Sequence, residues 1–413
     1  MKPCFLPADI LLPRESVDLT RWAVVACDQF TSRQDYWTET EHLVGDVPST
    51  LRLVYPEIYL SQGDKRILAI HAAMRKYLEE GVLKTAVTNG FVFVRRTTKS
   101  GTRLGLVGKL DLEQYEYKRG KKVPVRATEG TILSRIPPRM RIRENALIES
   151  PHIMMLLDDP AMCLIEPLEM EDLPKLYDIT LMQGGGRLEG FAVEGERAKQ
   201  VAKLSADMQA AAKGGFFLAA GDGNHSLATA KACWEERKKT LSSVEWETHP
   251  ARFALVELVN LHSPALIFEP IHRVIFGAAA DELVAGFDAY LASLGMAIVP
   301  GEEVVFVGKD GEMGFDIAGR GERLPLDLAQ GFLDEWLERH ENERIDYVHD
   351  ANEVRTHCCV EKAAGVLFQS IPKEGFFAAV RAGGALPRKT FSMGEGCEKR
   401  YYMECRRILP EEE

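Results

Sequence analysis

The stretch Phe216 to Lys231 reads Phe-Phe-Leu-Ala-Ala-Gly-Asp-Gly-Asn-His-Ser-Leu-Ala-Thr-Ala-Lys, and it constrains the chain more than any other segment. An apolar run ends in a glycine-rich turn and restarts as a helix former, which predicts a strand, a tight turn and a helix N-terminus. Gly221 and Gly223 permit backbone angles closed to other residues and let a ligand approach the main chain. The unpaired N–H groups of the new helix would face an anion. Asp222 and His225 supply a carboxylate and an imidazole beside it, with Asn224 and Ser226 in the same turn. The turn matches neither the Walker A pattern nor the dinucleotide fingerprint Gly-x-Gly-x-x-Gly. Phosphate chemistry is one reading; a glycine-assisted turn in which Asp222 or Asn224 merely caps the helix is the other.

A chain of 413 residues can bury a substantial core and is expected to fold as two or three lobes. Its net charge of -11 repels nucleic-acid backbones and anionic membranes, so neither is an expected partner. Eight cysteines without C-x-x-C spacing indicate neither a disulfide framework nor a structural zinc site. Prolines interrupt the N-terminal segment where a secretory signal needs a continuous apolar run, and no apolar stretch reaches membrane-spanning length. The expected location is the cytoplasm.

Helical and strand signals alternate irregularly. Lys65 to Leu83 has helical periodicity and is stopped by Gly81; Phe91 to Arg95 and Leu104 to Leu110 flank a turn at Thr98-Lys-Ser-Gly101 and predict a hairpin. A helix from about Glu196 to Ala212 leads into the central strand. Arg252 to Val259 reads as a buried strand, Ala280 to Leu294 as a helix, and Val304 to Phe315 as a hairpin around Lys309-Asp-Gly311. A helix near Leu326 to Arg339, strands at Ile345 to Val348 and Gly365 to Gln369, and a helix near Gly375 to Arg381 complete the pattern. The fold class is α+β, a mixed-sheet, multi-lobed protein, with residues 1–300 expected as the main lobe and 301–413 as a C-terminal one.

Basic residues concentrate around turns at Arg126-Ala-Thr-Glu-Gly-Thr131, Arg135 and Arg139 to Arg143. In an acidic chain such a cluster suits a polyphosphate clamp, and equally a solvated face with internal ion pairs. Glu129 inside it suits a base, a magnesium ligand or an arginine partner. His272 and Arg273 stand between apolar residues, as either substrate ligands or core residues; His349 follows an apolar run in the same way. The loop Leu386 to Gly394, with Arg388 and Lys389, suits phosphate or a plain surface turn.

Cys27-Asp-Gln-Phe30 with Tyr36-Trp37, Pro48-Ser-Thr50, Arg126 to Thr131, the Gly-Asp-Gly-Asn-His-Ser element, Pro270-Ile-His-Arg273 and Leu386-Pro-Arg-Lys389 together resemble the domain-of-unknown-function 1015 (DUF1015) family. The central motif of that family, Asp-Gly-His-His-Arg, is also similar to that of the free-serine kinases of the ParB and sulfiredoxin-like superfamily. Asp222, Gly223 and His225 match it, whereas Asn224 and Ser226 stand in place of its first histidine and its arginine. The resemblance implies a ParB/sulfiredoxin-like nucleotide-binding element. It further implies a phosphotransferase that moves phosphate between ATP or ADP, with Mg, and a hydroxyl amino acid such as L-serine. In that reading Asp222 or Glu129 takes the hydroxyl proton and His225 orients the substrate or steadies the transferring group. Gly221, Gly223, Asn224 and Ser226 hold phosphates, Arg126, Arg135 and Lys389 replace the missing arginine, and His272 and Arg273 bind substrate. A nucleotide-binding regulator without chemistry is the alternative.

Overall fold

The computed structural model describes residues 2–31, 33–118, 121–131, 133–348, 350–360, 362–370, 373–384, 387 and 389–410. His349, Leu386, Arg388 and the side chain of Arg135 lie outside the described residues. The chain divides into two compact units. The first holds residues 1–127, 131–266 and 394–413, and the second holds 128–130 and 267–393. The division therefore falls near residue 267 rather than 300, and the last residues return to the first unit instead of belonging to a C-terminal lobe.

The first unit is built on a mixed sheet. Its strands are β1 (Phe5–Leu6), β2 (Ala8–Pro13), β3 (Leu83–Thr98), β4 (Gly101–Asp111), β5 (Tyr115–Glu116), β6 (Val125–Ala127), and, after the short β7 (Ile148–Glu149) outside that sheet, β8 (Met154–Leu157). They continue with β9 (Lys175–Leu181), β10 (Gly186–Val193), β11 (Leu218–Asp222) and β12 (Phe253–Asn260). The order across the sheet is β5-β6-β11-β8-β12-β4-β3-β10-β9, with β1 added to β4 and β2 to β3. β6 with β11, β8 with β12 and β5 with β6 run parallel; the other ladders are antiparallel. The expected hairpin is β3 and β4, in register from Val92 opposite Val107 to Thr98 opposite Gly101.

Helices α1 (Leu19–Trp22), α2 (Gln34–Val44), α3 (Gly63–Glu79), α4 (Ile136–Arg143), α5 (Gly195–Ala211) and α6 (Asn224–Lys238) accompany the sheet. α3 buries Ile70, Met74 and Tyr77, one stripe at helical spacing, and the chain turns away at Gly81 with φ 61°. Two apolar clusters form the core of this unit. One gathers Trp22, Trp37, Ile70, Met74, Val92 and Tyr402; the other gathers Phe91, Leu106, Met155, Leu218, Leu227 and Trp234. Every residue of β12 is buried, as its largely apolar run requires of a central strand, and Glu257 within it is matched by Arg400.

The second unit has its own antiparallel sheet, ordered 311–318, 297–308, 363–368, 272–276 and 344–348. Helices Ala280–Ser293 and Pro325–Arg339 cover it through Leu283, Phe287, Phe332 and Leu333. The hairpin predicted around Lys309-Asp-Gly311 is present. Among the described residues, no helix is long and apolar enough to cross a membrane.

The segment after Gly394 is held in the first unit by buried charge. Arg400 donates to Glu257 at 2.7 Å and to Glu404 at 2.6 Å, and Arg406 donates to Glu149 at 2.6 Å. Removing one member of such a set leaves an uncompensated ion in a low dielectric. Arg400→Met should therefore lose ~3–5 kcal/mol of stability by urea unfolding followed by tryptophan fluorescence. A loss under ~1 kcal/mol would mean that Glu257 and Glu404 are not stranded by the change.

Candidate active site

The central segment folds as a strand, a bulge, a left-handed residue and a helix. In the pairing of β11 with β8, Ala220 faces Met155 and Asp222 faces Met154, so Gly221 is the extra residue of a bulge. A bulge re-aims the residue that follows it, here Asp222 at the strand end. Gly223 then adopts φ 73° and ψ 24° and caps α6. A Cβ at this position would stand 2.9 Å from Ile153 Cα, so both conformation and space demand glycine there. Gly221 differs from the expectation of a second turn glycine: it belongs to β11, where it forms the bulge.

Asp222 is fixed at both oxygens. Oδ1 accepts the Gly223 N–H at 2.8 Å, and Oδ2 lies 3.3 Å from Lys399 Nζ. In the first turn of α6, Asn224 Nδ2 donates to the Ala220 carbonyl at 3.3 Å and Thr229 Oγ1 to the His225 carbonyl at 2.7 Å. Ser226 Oγ is 3.4 Å from Nε2 of His152.

His152 follows Pro151 on the way into β8 and is only 5% exposed. Its Nδ1 is 2.6 Å from Tyr402 Oη, which also accepts the Cys27 N–H at 3.1 Å. Its Nε2 faces Asp28 Oδ2 at 3.6 Å, and Gln29 donates to the other Asp28 oxygen at 3.0 Å. Burial opposes a charge on this ring, but the charge and hydrogen bond of Asp28, reinforced by Asp222, raise its pKa above the ordinary imidazole range. Burial likewise opposes charge on Asp28, yet His152, Gln29 and Lys399 hold it below the usual carboxylate range. When protonated, the ring donates from Nδ1 to Tyr402 and presents Nε2–H to Asp28 and Ser226. Cys27 is pushed up to about 12, first by burial and then by Asp28, which keeps the thiol neutral and unreactive.

A cavity of about 360 Å³ adjoins this cluster. Cys27, His152, Ser226, Thr229 and Tyr402 line it, together with apolar side chains such as Val54, Met74 and Ile148. Its size and its mainly apolar wall with a few convergent polar groups suit a small molecule. Asp28, His152, Lys399 and Tyr402 were not legible as site residues. The signals for them are short: an Asp within the Cys27-Asp-Gln-Phe30 motif, and a Lys-Arg-Tyr-Tyr run near the C-terminus.

The other expected site residues are placed as follows. Arg126 Nε donates to the Val123 carbonyl at 3.1 Å and its guanidinium lies over Phe216. Arg139 pairs with Glu57, Arg141 with Asp64 and Arg143 with Glu149. Glu129, His272, Arg273 and Lys389 belong to the second unit. There His272 Nδ1 accepts the Phe368 N–H at 3.2 Å, and Arg273, wholly buried, donates to Gln330 at 2.9 Å. Lys389 is exposed in a left-handed turn with φ 58°. Among the described residues, no group of three or more His, Cys, Asp or Glu is placed to hold a metal ion.

The fold and this cluster define an α+β protein with a mixed sheet and a carboxylate-bearing strand-to-helix turn whose helix lines a cavity through Ser226 and Thr229. The chain belongs to the family described as protein of unknown function (DUF1015), whose model matches residues 8–353. No curated protein matches it. Solved structures similar to it include a free serine kinase variant in complex with ADP, at 10% identity and a TM-score of 0.39, over 73% of this chain and 91% of that one. A free serine kinase in complex with AMP aligns at 12% identity and a TM-score of 0.38, over the same shares of each chain, 73% and 91%. SbnI with C-terminal truncation from Staphylococcus aureus aligns at 8% identity and a TM-score of 0.35, over 70% of this chain and 83% of that one. At these scores the likeness is loose.

Two outcomes test the geometry. His152 should titrate by NMR above the ~6.5 of a free imidazole, and Asp28→Asn should bring its midpoint down. Because the folded pKa is raised, the stability His152 contributes is complete below ~6.5 and lost as pH rises through the folded value. An unchanged midpoint in Asp28→Asn would remove Asp28 as the cause. Gly223→Ala should cost ~1–3 kcal/mol of unfolding free energy through its left-handed angle alone, with the Ile153 contact adding to that; a variant as stable as the parent would contradict the turn geometry.

Proposed function

We propose that this protein is a small-molecule phosphotransferase, moving a phosphoryl group between an adenine nucleotide and a hydroxyl amino acid such as L-serine. The observation that carries the reading is the set formed by Asp222, Lys399, Asp28 and His152 around the start of α6, with His152 lining a cavity of about 360 Å³. Phosphoryl transfer asks chiefly for positioned charge and little covalent chemistry from the protein. Lys399 and the His152 imidazolium supply positive charge for phosphate oxygens, and the start of α6 adds the positive end of its dipole. Ser226 and Thr229 offer hydroxyls in the cavity wall.

Two carboxylates, Asp222 and Asp28, are available to take the hydroxyl proton. The low basicity of Asp28 is compatible with that role, because in a loose transition state the proton leaves late. Magnesium needs only one or two protein carboxylates when phosphates complete its shell, so one of Asp28 and Asp222 would hold it without a dedicated protein cage while the other takes the proton. When bound it would neutralise phosphate charge. Adenine nucleotides also occur in the free serine kinase complexes to which this chain is similar.

The test follows nucleotide conversion by the full chain with magnesium, using L-serine with ATP and, in reverse, O-phosphoserine with ADP. Turnover is expected in at least one direction, falling by at least ~100-fold in Asp222→Asn or Asp28→Asn with folding retained. Full activity in both variants would overturn the assignment of roles. Nucleotide binding without consumption by any hydroxyl substrate would favour a regulator instead.

A further inference from the structure

We propose that a small cavity between β3, β4, β12 and the segment after Gly394 binds a monatomic anion such as chloride, held by Arg96 and Arg103. The cavity lies within the first unit, and Val94, Arg96, Arg103, Glu257, Arg400 and Tyr401 are among the residues that line it. Arg96 and Arg103 stand directly opposite each other on β3 and β4, ~4.5–5.5 Å apart at Cα as in any antiparallel pair, and are only 2% and 8% exposed. Like charges placed opposite in a ladder repel, and burial removes the water that would screen them. Among the described residues, neither Arg96 Nε nor Arg103 Nε has a hydrogen-bond partner. Arg96 Nη2 donates to the Cys397 carbonyl at 3.2 Å, and its guanidinium lies 5.0 Å from the centre of the Tyr401 ring, but no ion pair joins it to a described carboxylate. Burial and then the charge of Arg103 lower the Arg96 pKa to about 10, so the guanidinium stays charged at neutral pH.

Charge and size select the guest. The walls carry three guanidiniums, of Arg96, Arg103 and Arg400, against two carboxylates, of Glu257 and Glu404. Arg400 takes up both carboxylates, at 2.7 and 2.6 Å, and Arg103 Nε stands 3.8 Å from Glu257 Oε1, too far for a hydrogen bond. One buried positive charge is left over, which is costly in a low dielectric, and the face of the Tyr401 ring offsets only part of it. A cavity of about 10 Å³ has room for one atom-sized guest and excludes phosphate or a carboxylate. A single water would satisfy both Nε–H groups but leave the surplus charge, whereas chloride accepts from both and cancels it. Glu257 Oε1 opposes an anion there, and the Arg400 bond to the same carboxylate weakens that opposition. The Cys397 carbonyl, Arg400 and Tyr401 belong to the segment that carries Lys399 and Tyr402, so an anion in this cavity tightens the docking on which the candidate site depends.

The experiment follows thermal unfolding of the full chain in sodium gluconate, replaced stepwise by sodium chloride or sodium bromide at constant ionic strength. Screening then stays fixed, and only an ion small enough for the cavity is varied. Both halides should raise Tm by at least ~2 °C along a saturating curve, as a ligand of the folded state does. Arg96→Met and Arg103→Met each remove the surplus charge, and each should fold and lose the halide dependence. Crystals of the parent grown in bromide should show an anomalous scattering peak in contact with Nε of both arginines. A parental Tm indifferent to the halide, a rise without saturation, a halide dependence retained in both variants, or an ordered water in place of the bromide peak would each overturn the proposal. Should the variants not fold, the bromide peak decides alone: present, it upholds the site, and absent, it overturns it.

Discussion

Buried charge holds the first unit together. Arg400 reaches Glu257 on the central strand β12 and Glu404 on its own segment, while Arg406 reaches Glu149 on β7. Ions this deep are costly unless matched, and these pairs tie the segment after Gly394 to β7 and β12. Directional bonds fix the same register. Trp22 donates to the Met403 carbonyl at 3.0 Å, and Leu11 and Cys405 exchange backbone bonds at 2.8 and 2.9 Å.

That docking also builds the candidate site. Lys399 precedes Arg400 and meets Asp222; Tyr402 follows it by two and meets His152. One short extended segment therefore delivers a cation and a phenol to a turn far away in sequence, with the buried arginine between them acting as the anchor. The pKa of His152, in turn, is raised against burial by two carboxylates from distant segments, Asp28 and Asp222. The site is electrostatically assembled: each of its charges has an opposite neighbour, and each neighbour comes from a different part of the chain. A polyanionic ligand could therefore bind by exchanging partners within the cluster.

Local structure was largely readable. The helical stripe of α3, the hairpin of β3 and β4, the α5-to-β11-to-α6 sequence and the hairpin at Lys309-Asp-Gly311 all follow from periodicity and turn chemistry, which act over a few residues. The lobe boundary was placed too late because composition does not change where the chain leaves the first unit, and nothing local announces that it returns at Gly394. In the sequence Gly221 reads as a turn residue, because a bulge has no signature distinct from any other glycine in a strand. The arginines near Arg139 were legible as a basic cluster, but their carboxylate partners, Glu57, Asp64 and Glu149, lie elsewhere in the sequence.

By itself, then, the amino-acid order determined the elements and the central turn. Glycine at 223 is demanded by a left-handed angle, and Asp222 and Ser226 are carried to the ends of the adjoining strand and helix by covalent connection alone. Only the tertiary structure decided which groups face that turn. Asp28, His152, Lys399 and Tyr402 are brought there by burial of unlike charges and by pairing of distant strands, and these forces depend on distance through space rather than along the chain.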